Sequence, residues 1–145
     1  MSETYDDPCS RPTVVLAEDD PELRSLLSFC LYQAGYAVTS CPDGLSLLER
    51  IQQGLDGDDP VDLVVTDIRM PGLTGLEVLE AYHDQPQLPP LICMTAFGDE
   101  QTHAEAMRLR ARAIVDKPFD IDRLVELARQ LCPPHKPSQP KRCLS

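Results

Sequence analysis

Five short apolar runs alternate along the chain with longer segments whose apolar residues recur every three or four positions. Thr13 to Ala17 (TVVLA) predicts a buried strand. Pro21 then suits the first turn of a helix running to about Ala34, with Leu23, Leu26, Leu27, Cys30 and Leu31 on one face and Gly35 placed to end it. Tyr36 to Ser40 alternates enough for a second strand, shorter and nearer an edge. Asp43 is the expected N-cap of the next helix, which turns Leu45, Leu48 and Ile51 inward, and Gly54 to Pro60 reads as a loop. Within the stretch Val61 to Gly75, the unbroken run Leu63, Val64, Val65 predicts a strand buried on both faces, ending at Asp67. A helix from about Gly75 to Tyr82 carries Leu76 and Leu79 inward. Gln85 to Pro90 cannot be helical, because proline lacks the donor and restricts its predecessor. Leu91 to Thr95 is a fourth strand. Gly98 and Asp99 open a helix to about Leu109 with a weak inner face of Ala104, Ala106 and Met107. Ala113 to Val115 is a fifth strand, and a last helix after Asp120 packs Leu124, Leu127, Ala128 and Leu131.

Strand and helix in strict alternation predict an α/β fold, a parallel sheet covered by helices on both faces. Right-handed crossovers narrow the connectivity to a few doubly wound orders. A length of 145 residues fits one domain. Residues 1 to 12, polar and turn-forming, read as a disordered lead, residues 13 to 131 as the folded domain, and residues 132 to 145 (CPPHKPSQPKRCLS) as an extended, proline-rich basic tail.

Charge narrows the class of partner. With 24 acidic against 13 basic residues, a net charge of -11 and a pI near 4.5, the chain lacks the clustered Lys and Arg of a nucleic-acid footprint, and an anionic membrane surface is disfavoured for the same reason. Carboxylates gathered locally can instead hold a hard divalent cation. The acidic start MSETYDDPCS is no secretory signal, and no stretch approaches the roughly 20 apolar residues that cross a bilayer, so a soluble, cytoplasmic protein is expected. The six cysteines form no C-x-x-C pair and so show neither a zinc nor a thioredoxin-type motif. Cys30 and Cys93 read as small core residues, while Cys9 and Cys143 lie in the tails.

The strand ends carry the chemistry. The first closes on Glu18 and Asp19, the third on Asp67 and the fourth on Thr95, and the fifth is followed by Lys117. In a parallel sheet all C-terminal ends lie along one edge, where open α/β sheets bind ligands, so these side chains are expected to converge. A turn-capping role explains any one of them and explains the set poorly. Three carboxylates at one edge repel and call for a cation, and an all-oxygen set fits Mg²⁺. Carboxylate, metal, ammonium and hydroxyl make a phosphoryl-transfer site. Asp67 is the candidate nucleophile because its loop, with Pro71 and Gly72, leaves space, and the small Ala96 leaves room for access. Glu18 and Asp19 are candidate metal ligands. His83, His103 and His135 could suggest a histidine phosphoacceptor, but all three sit in polar surroundings and read as solvated surface residues. Asp99 and Glu100 read as charges at a helix N-terminus.

E-D-D after the first strand, VVTDIRMPG at the third, MTA at the fourth and DKPFD at the fifth together resemble the receiver domain of two-component response regulators, from Thr13 to Leu131. That resemblance implies a flavodoxin-like five-stranded sheet of order 2-1-3-4-5 with five helices. It implies a phosphoryl group accepted on Asp67 from a histidine kinase or a histidine phosphotransfer protein, and Mg²⁺ held by Glu18, Asp19, Asp67 and the backbone carbonyl of Arg69. Thr95 carries over as the switch hydroxyl, Lys117 as the phosphate-binding ammonium and Lys117–Pro118 as a cis bond. Two positions depart from the family pattern. Ile114 stands where receivers usually carry Tyr or Phe, and Arg110 replaces a common glycine at the end of the fourth helix. An altered or weaker signal through helix 4 and strand 5, and a different end to that helix, are the expectations.

The expected function is that of a stand-alone phosphorylation switch or phosphorelay intermediate. It would assist its own phosphorylation and dephosphorylation and otherwise be no enzyme. A monomer or weak dimer through helix 4 and strand 5 is expected. One alternative is a small phosphatase or phosphotransferase using Asp67. Such enzymes carry a second acid two residues after the nucleophile, where this chain has Arg69. The other alternative is the receiver part of a longer hybrid kinase.

Overall fold

Uninterrupted aliphatic and β-branched runs form the strands here because helices cover both faces of the sheet. The computed structural model describes residues 11–57, 59–68, 74–82, 84–95, 100–108, 110–117 and 120–134. The strands are β1 (Thr13–Ala17), β2 (Ala37–Cys41), β3 (Leu63–Asp67), β4 (Leu91–Thr95) and β5 (Ala113–Asp116). The helices are α1 (Pro21–Gln33), α2 (Gly44–Leu55), α3 (Gly75–Tyr82), α4 (Glu100–Arg108) and α5 (Ile121–Leu131). All strand pairs are parallel, in the order β2-β1-β3-β4-β5. This is the flavodoxin-like arrangement expected.

Burial follows that order. β3 and β4 are buried along their whole length, whereas β2 and β5, with one neighbour each, are half-exposed. Alternate strand residues serve opposite faces. Val14, Leu16, Leu63, Val65, Ile92 and Met94 pack with Leu27 and Leu31 of α1 and Leu124 and Ala128 of α5. Val15, Ala17, Val64 and Cys93 pack with Leu47 and Ile51 of α2, Leu79 of α3 and Ala106 of α4.

Helix ends follow local chemistry. Asp20 caps α1 by accepting from the amides of Glu22 and Leu23, Asp43 caps α2 through Ser46 and Asp120 caps α5 through Asp122. Thr74 and Glu77 form a reciprocal capping box on α3, with Thr74 N–H on Glu77 Oε1 at 2.8 Å and Glu77 N–H on Thr74 Oγ1 at 3.2 Å. Gly35 ends α1 in the left-handed region, φ 111°. Arg110 does the same after α4, φ 76°, so the glycine-type ending is kept and an arginine bears it, contrary to the expectation of a different end.

Several inner faces differ from those predicted. On α2 the buried pair is Leu47 and Ile51, with Leu48 partly buried, whereas Leu45 is 58% exposed. The seated stripe is the i, i+4 pair lying over β1 and β2, and Leu45, in the first turn, faces away from it. On α1, Leu26 is 46% exposed and Phe29 and Tyr32 are exposed too, because α1 seats the stripe of Leu27 and Leu31, with Leu23 partly buried beside it, on the sheet. On α4 only Ala106 is buried among the described residues, and Ala104 and Met107 face solvent. Cys93 is buried as expected, and Cys30 is half-buried. Observed β2 starts one residue after the predicted one. Tyr36 is instead fully buried, its hydroxyl donating to the Cys132 carbonyl at 2.6 Å. The side chain of Leu76 lies outside the described residues, as do residues 1–10, His83, residues 96–99 and residues 135–145.

Candidate functional site

The edge formed by the C-terminal strand ends gathers most of the predicted residues. Glu18 follows β1 directly, its amide bonding the Cys41 carbonyl at the end of β2 at 3.1 Å. Its own carbonyl accepts from the Arg24 guanidinium of α1 at 2.8 Å, and its Oε2 accepts the Asp20 amide at 3.1 Å. The side chain is only 1% exposed, an unusual position for a carboxylate without a cation nearby. That cation is Lys117. Its Nζ donates to Glu18 Oε1 and to Asp67 Oδ2, both at 2.8 Å, joining the ends of β1 and β3 from the far side of β4. Oxygens of Glu18, Asp19 and Asp67 lie within 4.8 Å of one another. Glu18 and Asp67 are buried and Asp19 is exposed, so the cluster opens to solvent on one side.

Electrostatics fit a group built to meet a further cation. Burial lifts the Glu18 carboxyl above its usual range and the charge of Asp67 adds to this, against the hydrogen bonds from Lys117 and the Asp20 amide. Burial also opposes the charge on Lys117, but the hydrogen bonds and attraction of Asp67 and Glu18 outweigh it and hold the ammonium above its ordinary value. Three carboxylates gather around one lysine among the described residues, so the pocket keeps an excess of negative charge. Hard oxygens, one of them solvent-facing, are a donor set that a divalent cation such as Mg²⁺ fits.

Thr95 sits at the same edge, buried, but its hydroxyl donates to Asp116 Oδ1 at 2.6 Å. The same carboxylate oxygen meets His103 Nε2 of α4 at 2.7 Å. Asp116 was no sequence candidate, and His103, weighed as a phosphoacceptor and read as a solvated surface residue, is half-buried and paired. Periodicity does not report strand register. Here register places Thr95 directly opposite Asp116.

The response regulator receiver domain model matches residues 14–129. The chain belongs to that family. It is 37% identical over 114 residues to transcriptional regulatory protein FixJ of Bradyrhizobium diazoefficiens, a match covering 79% of this chain and 53% of that relative. Among solved structures it superposes on the Francisella response regulator 1452 receiver domain with a TM-score of 0.74 at 26% identity, covering 83% of this chain and 96% of that one. Chemotaxis protein CheY4 of Vibrio cholerae gives a TM-score of 0.74 at 25% identity, covering 83% and 98%. The chain spans about half the length of the curated relative FixJ.

Within this receiver, Glu18, Asp19, Asp67 and Lys117 are brought together. Thr95 reaches the same edge with its hydroxyl on Asp116. Ile114 lies in β5, partly buried against the α2–α3–α4 face. Arg69, Pro71, Gly72, Ala96 and Pro118 lie outside the described residues.

Proposed function

We propose that this receiver is a phosphorylation-dependent signalling switch of a two-component system or phosphorelay, acting in the cytoplasm. It would accept a phosphoryl group on Asp67 from a histidine kinase or a histidine phosphotransfer protein. The observation that carries the reading is Lys117 Nζ held at 2.8 Å from both Glu18 and Asp67 beneath a three-carboxylate cluster. The Asp67 carboxylate attacks the phosphorus of a phosphohistidine, an acyl phosphate forms, the P–N bond breaks and the leaving imidazole nitrogen takes up a proton. Lys117 lies against the Asp67 oxygen and would neutralise charge that develops on the transferring group. Glu18, Asp19 and Asp67, with the Arg69 carbonyl, would hold Mg²⁺, which supplies Lewis-acid neutralisation of phosphoryl oxygens when bound. Thr95 would donate its hydroxyl to the new phosphoryl group.

No helix among the described residues is long and apolar enough to cross a membrane. The transcriptional role named for FixJ belongs to that whole protein, and the role proposed here is confined to the receiver function. Incubation with acetyl phosphate and Mg²⁺ should give a phosphoryl adduct by intact-mass spectrometry, lost in Asp67→Asn and lost on chelation of the metal. An adduct of equal yield in Asp67→Asn would place the acceptor elsewhere and refute the reading.

A further inference from the structure

Asp116 Oδ1 joins two elements. Thr95 Oγ1 donates to it from β4 at 2.6 Å and His103 Nε2 meets it from α4 at 2.7 Å. Hydrogen bonds from Thr95 first, and then from His103, hold the Asp116 carboxyl below its ordinary value. An ionised carboxylate only accepts, so His103 presents Nε2–H to it. The threonine is buried, while Asp116 and His103 are 44% and 33% exposed, so the chain of bonds runs from the site's interior out to the surface of α4.

A threonine hydroxyl has one proton to donate. On the reading that Asp67 is the acceptor, on which this inference rests, phosphorylation brings roughly two negative charges and three acceptor oxygens to the end of β3. Asp67 pairs with Met94, the residue before Thr95, so the new acceptors arrive beside the threonine. The one proton goes to Asp116 or to the phosphoryl group, never to both. We infer that His103 and Asp116 are positioning residues that latch the Thr95 hydroxyl in the unphosphorylated protein, so that phosphorylation and the α4 surface compete for it. Ile114, the non-aromatic neighbour in β5, contributes only aliphatic contact, and this latch is a hydrogen-bonded link from the site to α4 that needs no ring. Coupling is reciprocal: a partner that draws His103 away from Asp116 eases phosphorylation, and phosphorylation frees His103 and Asp116 for a partner.

The rate of phosphoryl uptake from acetyl phosphate with Mg²⁺ tests this in the full chain. Asp116→Ala should take up phosphoryl about tenfold faster, the equivalent of one charge-assisted hydrogen bond. His103→Ala should be faster by a smaller factor, His103→Gln, which keeps a donor, should return toward the wild-type rate, and the double alanine variant should match Asp116→Ala alone. In a Thr95→Val background these accelerations should vanish. Loss of the Asp116 charge by itself would speed approach of an anionic donor, but loss of His103 would not. An unchanged or slower His103→Ala, or an Asp116→Ala acceleration that survives in Thr95→Val, would therefore overturn the latch while leaving the acceptor role standing. A wild-type chain that takes up no phosphoryl at all would remove the receiver reading and the latch with it.

Discussion

At the residue scale, Asp116 makes the proton balance concrete. Its folded-state pKa lies below the ordinary 3.8 because the Thr95 hydroxyl, then His103, favours the charged form. A depressed carboxyl contributes stability that is present above the unfolded pKa and is lost as pH falls through the folded one. Removing the largest cause, as in Thr95→Val, should raise the Asp116 titration midpoint toward 3.8, followed by carboxylate ¹³C NMR through the acid range. His103→Ala should raise it less. An unmoved midpoint in Thr95→Val would mean that the bond does not form in solution. The acids at the strand ends were legible in the sequence because position after a buried strand fixes their place. Asp116 also ends a strand, but its pairing with Thr95 and His103 was not legible, because that comes from a cross-strand register and a helix approach that no local pattern encodes.

At the element scale, α1 and α4 end by the same motif with different residues. After α1, Gly35 N–H bonds the Tyr32 carbonyl and Tyr36 N–H the Leu31 carbonyl, at 3.1 and 3.2 Å. After α4, Arg110 N–H bonds the Met107 carbonyl and Ala111 N–H the Ala106 carbonyl, at 3.0 and 2.9 Å. The left-handed residue is a glycine in the first and an arginine with φ 76° in the second. That conformation costs a residue with a Cβ about 1–2 kcal/mol, against a glycine entropy cost of about 0.5–1 kcal/mol. Arg110→Gly should therefore stabilise the protein by about 0.5–1 kcal/mol in urea unfolding, and destabilisation would show that the Arg110 side chain contributes more than the backbone loses. The sequence flagged this site as glycine-less. It could not show that tertiary packing around Ala106 and Ala111 imposes the geometry regardless.

For the whole molecule, the site exists because one sheet brings β1, β3 and β5 ends to a common edge, and the fold carries the cost of a buried Glu18 beside Asp67. A ligand that binds only the folded state stabilises it. Mg²⁺ at ten times its Kd should add about 1.4 kcal/mol, or about 4 °C in Tm for a domain of this size. Asp19→Ala, which deletes the exposed member of the cluster, should abolish that rise in a thermal melt with and without Mg²⁺. A rise of equal size in the variant would put the ion elsewhere. The opposite edge is closed differently. Segments from both sides of the domain meet at the α1–β2 corner, where Arg11 bonds the Tyr32 and Tyr36 carbonyls at 3.2 Å and Tyr36 reaches the Cys132 carbonyl.

Alternating buried runs and amphipathic segments determined the α/β class, the central position of Leu63–Asp67 and the acids, hydroxyl and lysine at the strand ends, because burial and helical periodicity are written in local residue order. The same local order misplaced Leu45 and Leu26, since a helix's apolar surplus does not say which stripe the sheet will cover. Only the tertiary structure decided that Lys117 spans β4 to join Glu18 and Asp67, and that the Thr95 proton rests on Asp116 beside His103. These contacts link residues far apart in the chain, and their geometry is set by strand order and register rather than by any pattern along it.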